Sequence, residues 1–598
     1  MILQSLVDLY ERRCASDDPE QQLPQPGWQD GEIDIALVLN NDGTLIQVQD
    51  LRRPSNRNRL VGRPTRMPEE APGRTSNPPP NLLWDKAEFV LGTVEPKAAQ
   101  RDEAAASKRA ALRFGQFKSR IERFSNGVPD HSGLTAVLKF LDGRPAEAVR
   151  ERVADDLMAE IVEGSLWITF SIVNEDGFVF ADRRVASAVP GEVMRLKGER
   201  IGQCLATGRT EKLARLNTGL DGTAFAGGQT SGVKLVSFNA EAFTGYGFDK
   251  GDNAPLGTFA DFAYATALNA LLARDSGHRA QAGNVTVVFW AGRASPNEQV
   301  ICPFLAAIVA DDPGRGSLDL KALYAAPVTG ARPCTEDNTP FLVLGLSAES
   351  KSRLTVRFFH QGTIREAARN IVAWHEALRI APEDGPPLSI RSLLRNLAVG
   401  REIENAPALL GAELLRCAYT GAAFPQRVLA EALVRCAAER GPTRERAALV
   451  KAFLVRNCRR RVPVELDPAE GDIAYRLGCL FAVLEWVQER AVNAKAGIAE
   501  RYWGSASTTP AFVFPDLLNL AIYHLGKLDD TAPGFATNRR KEIEAIVAKP
   551  APLPARLPTR LELVDQGAFA IGYWQQRAAR RSSTDKPIAP DATEKDAA

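Results

Sequence analysis

Beyond the segment APEDGPPLS, Ala381 to Ser389, the sequence changes texture. From about Ser389 to Lys549 alanine and leucine dominate, and apolar residues recur at every third or fourth position. That spacing lines one face of a helix. Such a stretch buries its apolar surface only by packing helix on helix, so a bundle is expected there. Upstream, roughly from Pro129 to Ile380, the pattern is mixed. SLWITFSIV, VKLVSFN, NVTVVFW and TPFLVLGLS read as strands, and FADFAYATALNALLARD has helical periodicity with Phe259, Phe262 and Ala263 on one side. A chain of 598 residues also exceeds what one hydrophobic core supports. The expected class is α+β, with mixed α/β N-terminal and central regions followed by an all-α C-terminal bundle.

The expected segments are 1–128, 129–385 and 386–577, then a disordered polar tail over 578–598. In the first, MILQSLVDLYERR reads as an amphipathic helix. EIDIALVLNNDGTLIQVQDL reads as a hairpin turning at Asn41-Asp42-Gly43. Leu82 to Gly92 and Ala98 to Phe124 read as helices.

No segment approaches 18 uninterrupted apolar residues, so no membrane span is expected. The start lacks the basic head and cleavage site of a secretory signal. Eight cysteines are scattered without a CxxC pair, which fits reduced thiols in a cytoplasm. The net charge of +1 hides an uneven distribution. Met1 to Asp50 holds ten acids against Arg12 and Arg13, whereas Leu51 to Met67 holds no acid and six arginines. A polyanion would feel such a basic face.

Signs of catalysis are weak. In ERYWGSASTTPAFVFPDLL the run GSASTT is either a loop with an activated serine or the corner of a helical hairpin. A nucleophile elbow needs G-x-S-x-G after a strand, and Gly504-Ser505-Ala506-Ser507 lacks the second glycine. The corner reading has Gly504 ending one helix, Thr509 capping the next and Pro510 at its first position. GGQTSGVKL has the glycine spacing of a phosphate-binding loop, but Val233 stands where lysine is required. GYGFDKG misses the dinucleotide fingerprint, and HEALR at His375 lacks a second histidine. No enzyme activity, cofactor or metal is therefore expected.

Binding chemistry is better represented. Arg52, Arg53, Arg57, Arg59, Arg63 and Arg66 suit phosphate contacts, since guanidinium groups bridge phosphates with paired hydrogen bonds; a solvated loop is the plainer alternative. RTSNPPPN places Arg74, Thr75, Ser76, Asn77 and Asn81 on a stiff scaffold as candidates for DNA contact. The loop Gly227, Gly228, Gln229, Thr230, Ser231 and Gly232, followed by Lys234, lets backbone approach a ligand closely, and a flexible β-turn is its alternative. Lys351, Arg353 and Arg357 alternate with apolar residues on a strand, giving one charged face, with Arg365 and Arg369 beyond. RNCRRR adds Arg456, Arg459, Arg460 and Arg461. Alanine at Gln229 or Asn77 is expected to cost about 1–3 kcal/mol of sequence-dependent binding.

Several blocks carry a family resemblance. MILQSLVDLYERR, IALVLNNDG, RTSNPPPNLLWDKAEFVLG, GGQTSGVKLVSFNAEAFTGYGFDKGDNAPLG, NVTVVFWA, CAYTGAAFP, AYRLGCLFAVLEWVQERA, RYWGSASTTPAFVFP and QGAFAIGYWQQR resemble, in order, the large subunit of the type I-C CRISPR Cascade complex, the Cas-eight-c or Csd-one family. The resemblance implies a non-catalytic part of an RNA-guided surveillance complex. It would recognise the protospacer-adjacent motif on duplex DNA, assist unwinding and stabilise the R-loop. Implied partners are the crRNA-containing complex with its backbone and crRNA-end subunits, the small subunit, target DNA with its displaced strand, and the helicase–nuclease. In this family the C-terminal part, here from about 462, resembles the small subunit and is made separately by internal translation. The methionines are Met1, Met67, Met158 and Met194, so such a start must be a non-AUG codon, as at Val462, Val464 or Leu466. The alternative is a helical protein–protein scaffold without direct DNA readout.

Overall fold

The computed structural model describes residues 1–598 except 19–20, 55–59, 73–77, 164–165, 196, 199, 231, 310–319, 327–329, 384–386, 408, 493–496, 585–598 and the side chains of 581–584. The chain divides into two compact units, Met1–Ala273 with Ala348–Thr355, and Arg274–Ser347 with Val356–Ala598. The α+β class holds. The division differs from the expected segments because the hydrophobic cores run across both expected boundaries. One core extends from Ile33 to Val193, past residue 128. The other extends from Ala280 to Ile571, past residue 385.

In the first unit, a four-stranded sheet has the order Leu45–Asp50, Ile35–Leu39, Ile168–Ile172, Trp84–Asp85. Its inner strand IALVL is buried at all five residues, as an uninterrupted apolar run covered on both faces must be. It pairs antiparallel with Leu45–Asp50 through the expected Asn-Asp-Gly turn, and parallel with Ile168–Ile172. Helices Glu103–Ser125 and Ser132–Asp142 bring Phe117 and Phe140 against Phe170 of that strand. A separate ribbon pairs Trp28–Ile33 with Arg63–Pro68. Helix Ile2–Cys14 sets Tyr10 edge-on to Phe259 and Phe262 of helix Thr258–Leu272.

Two local expectations fail here. Leu82 to Gly92 is helical only over Ala87–Val90, because Trp84–Asp85 pairs into the sheet edge. VKLVSFN forms no strand. It makes single bridges at Val233 and Lys234.

The second unit opens with a four-stranded sheet ordered Arg279–Ala282, Val285–Ala291, Pro340–Ser350, Arg353–Thr363. VTVVFWA is buried throughout. Helices Glu298–Val309 and Ile364–Leu378 share its core with the helices that follow. The bundle is built on the pair Ile473–Ala491 and Leu563–Thr584. These approach so closely that a Cβ on Gly478 would lie 2.0 Å from the Phe569 carbonyl oxygen, and one on Gly572 would lie 2.0 Å from that of Tyr475. Glycine is required at both crossings. Phe481 sits beside them, ringed by Trp503, Phe514, Phe569 and Tyr573.

Helix Leu563–Thr584 takes in the first residues of the tail expected from 578. Alanine and arginine favour helix there, and Arg580 lies 4.0 Å from the centre of the Trp486 ring. The rest, 585–598, lies outside the described residues. No helix among the described residues is long and apolar enough to cross a membrane.

Candidate nucleic-acid interface

The glycine loop and the strand hairpin, more than a hundred residues apart in sequence, meet within the first unit. Leu220 and Val233 close the loop as an antiparallel bridge. Inside it the chain packs on itself: a Cβ on Gly222 would lie 1.9 Å from the Gln229 carbonyl oxygen. Gly232 adopts φ 103°, which L side chains avoid. The Gln229 amide Nε2 donates to the Gly232 carbonyl at 2.9 Å, so the side chain braces its own turn. The Gln229 backbone N–H donates to the Lys351 carbonyl at 2.9 Å, and the Lys234 N–H to that of Ser352 at 3.0 Å. The hairpin tip 348–355 is thereby stitched to the loop. Arg353 reinforces the joint by donating to the Asn239 side chain. Thr230 and Lys351 are left exposed.

Beneath the loop lies a buried carboxylate. Asp261 is fully buried and accepts from the Asn217 amide at 3.1 Å, the Thr218 N–H at 2.9 Å and the Thr218 hydroxyl at 2.6 Å. Lys234 is a candidate for DNA contact in the sequence. Its ammonium turns inward and donates to the Asn217 carbonyl at 2.8 Å. Burial lowers its pKa, and the charge of Asp261 opposes that shift. A second buried pair, Lys197 Nζ to Glu69 Oε1 at 2.6 Å, follows the arginine ribbon and lies against the Phe262 ring. Burial pushes the Glu69 carboxyl up while Lys197 holds it down.

The arginine stretch is less available than its composition suggests. Arg52 reaches Asp50 at 2.7 Å and Glu160 at 2.5 Å with 9% of its side chain exposed, and those acids raise its pKa. Arg66 pairs with Asp30 at 2.9 Å. Arg63 lies over the Phe178 ring. Arg53 is exposed. The acids concentrated in the first fifty residues return as partners of these arginines, which the linear charge count concealed.

Asn81 lies inside the first unit. It is fully buried, and its side-chain oxygen accepts the Ala71 N–H at 3.0 Å. Arg357 belongs to the second unit and donates to Ser347 at 2.7 Å. Arg57, Arg59, Arg74, Thr75, Ser76, Asn77 and Ser231 lie outside the described residues.

GSAST is helix: Ile498–Thr508 continues through Gly504, Thr509 alone makes the corner, and Pro510 opens helix Pro510–Thr531. The Ser505 hydroxyl donates to the Tyr502 carbonyl at 3.2 Å, and Ser507 is buried. Thr509 bonds back to Ser505 instead of capping forward. Among the described residues no three His, Cys, Asp or Glu side chains are grouped to hold a metal ion.

Sequence reasoning missed Asp261, whose helix reads as uniformly apolar. It weighed GYGFDKG only as a nucleotide fingerprint and not for Tyr246, wholly exposed at φ 57° between Gly245 and Gly247. The signal was GYG, an aromatic between two glycines.

A family model described as CRISPR-associated protein (Cas_Csd1) matches residues 6–581. No curated protein matches the chain.

Proposed function

The chain belongs to the CRISPR-associated Cas_Csd1 family, and from that premise we propose that it is the non-catalytic large subunit of a type I-C RNA-guided surveillance complex in the cytoplasm. Guide pairing reads the target, and this subunit reads the short adjacent motif on duplex DNA. Such a division of labour opens the duplex only where a seed can form. The subunit joins the crRNA-bearing backbone and crRNA-end subunits, assists unwinding, holds the R-loop and offers a surface to the helicase–nuclease. The observation that carries this reading is the family match across residues 6–581. The braced loop at Gln229, joined to the tip bearing Lys351, supports it as a surface on which backbone groups and a cation lie together.

Shift assays test it directly. A guide-loaded assembly is titrated with duplexes that differ only in the adjacent motif, with and without this chain. The chain should confer the discrimination. Equal target recognition without it would overturn the reading, as would purified chain that cleaves a phosphodiester unaided.

The segment from about Val462 to Ala598 is made a second time as the small subunit, starting at Val462, Val464 or Leu466, with about 130 residues. Synonymous recoding of those codons should remove the shorter band from single-gene expression. A second reading, a helical scaffold without DNA readout, draws on helix Pro510–Thr531, which exposes Phe512 at 71%, Ile522 at 70% and Tyr523 at 63%. It requires that all motif variants shift alike.

A further inference from the structure

Helix Glu103–Ser125 carries Gly115 near its middle, where glycine weakens a helix. Among the described residues no atom lies within 4 Å of where its Cβ would stand. The open space belongs to a cleft of about 620 Å³ between this helix and the Pro78–Pro80 wall. Among the described residues its lining holds two cations, Arg120 and Arg123, and no acid. Arg120 is 2% exposed. One of its N–H groups donates to the Pro80 carbonyl, and Glu192 lies 3.6 Å from Nε. Among the described residues its Nη2 meets no hydrogen-bond acceptor, and its Nε has only the 3.6 Å ion pair with Glu192. Burial pushes this guanidinium down to about 10, so it stays charged at neutral pH. A buried donor left unpaired is costly and calls for an acceptor. The proline wall presents no N–H of its own, so cationic donors dominate the site.

We propose that this cleft seats a backbone phosphate of the nucleic acid bound by the assembly, with Arg120 as the inner donor and Arg123 at the rim. The inference rests on the function proposed above and adds a phosphate site to it. The seat contributes affinity without reading sequence.

The test uses the guide-loaded assembly containing full-length chain, titrated with target duplex between 50 and 200 mM salt. Arg123→Ala should weaken binding to every sequence alike and reduce the slope of log affinity against log salt by about 1. Arg120→Met should do the same, though removing a buried group also endangers folding. Gly115→Glu guards against that ambiguity. It fills empty space on a helix, so the melting temperature should hold or rise while affinity and slope fall. Unchanged affinity and slope in a stably folded Gly115→Glu assembly would overturn the proposal. A wild-type assembly that fails to discriminate motifs would instead strike the parent reading. Inorganic phosphate supplies the last arm. If it raises the melting temperature of wild type but not of Gly115→Glu, while the salt slopes agree, the cleft takes free phosphate and the nucleic-acid assignment falls.

Discussion

The two units fix their shapes by different means. In the first, irregular backbone is held from below by buried charge: Asp261 under the glycine loop, and Glu69 with Lys197 behind the arginine ribbon. In the second, helices meet at reciprocal glycines and aromatic rings crowd Phe481, with buried Arg446 paired to Glu439 and buried Glu485 paired to Arg577. A loop held by a few directed hydrogen bonds fails when one acceptor is lost. A close-packed helix crossing fails when volume is added.

The sharpest way to break this contrast is Gly572→Val. The added carbons meet the Tyr475 backbone, which cannot yield as a side chain would, and we expect a loss of about 3–5 kcal/mol in urea unfolding. Asp261→Ala comes next. It orphans the Thr218 N–H and the Asn217 amide and should cost about 2–3 kcal/mol. Hydrogen exchange should rise first across residues 217–234. If protection is instead lost evenly over the first unit, the carboxylate does not brace the loop locally.

A smaller effect is set by pH. Burial pushes His375 down to about 4 from 6.5, and its Nε2 has no hydrogen-bond partner among the described residues. Below about pH 6.5 the unfolded chain takes up a proton that the folded chain refuses. Stability is therefore complete above that pH and declines as pH falls towards 4, by about 1–2 kcal/mol between pH 7 and 5. Urea midpoints at the two values check this, and His375→Gln should flatten the difference. The smallest pair separates cation from cation. Arg52→Ala should cost about 1 kcal/mol of stability with little change in DNA affinity, because its charge is spent on Asp50 and Glu160. Lys351→Ala should leave stability alone and lower the salt slope by about 1. A reversed outcome would mean that Arg52, not the hairpin tip, faces the polyanion.

The bundle was readable from the sequence because helical periodicity over many turns records which face is buried. The Asn-Asp-Gly hairpin and the buried runs IALVL and VTVVFWA were equally plain. Segment boundaries were not, since the parallel pairing of Ile35–Leu39 with Ile168–Ile172 joins strands far apart in the chain. At the candidate interface, composition identified the glycine loop and the basic strand separately. Nothing local said that Gln229 would meet Lys351, or that Lys234 would turn inward. Arginine content misled for a related reason: Arg52 and Arg66 face acids supplied by other strands and helices, and a linear tally cannot pair them.

The reciprocal glycines bear on whether the C-terminal portion can exist by itself. Both lie downstream of Val462, as do Phe481 and the four aromatic residues around it. A polypeptide beginning there keeps its tightest joint intact and gives up the cover of helices Gln426–Ala438 and Arg444–Asn457. The stripe left bare, with Tyr475, Ala568 and Ile571, would then be the place where an independent copy seeks a neighbour.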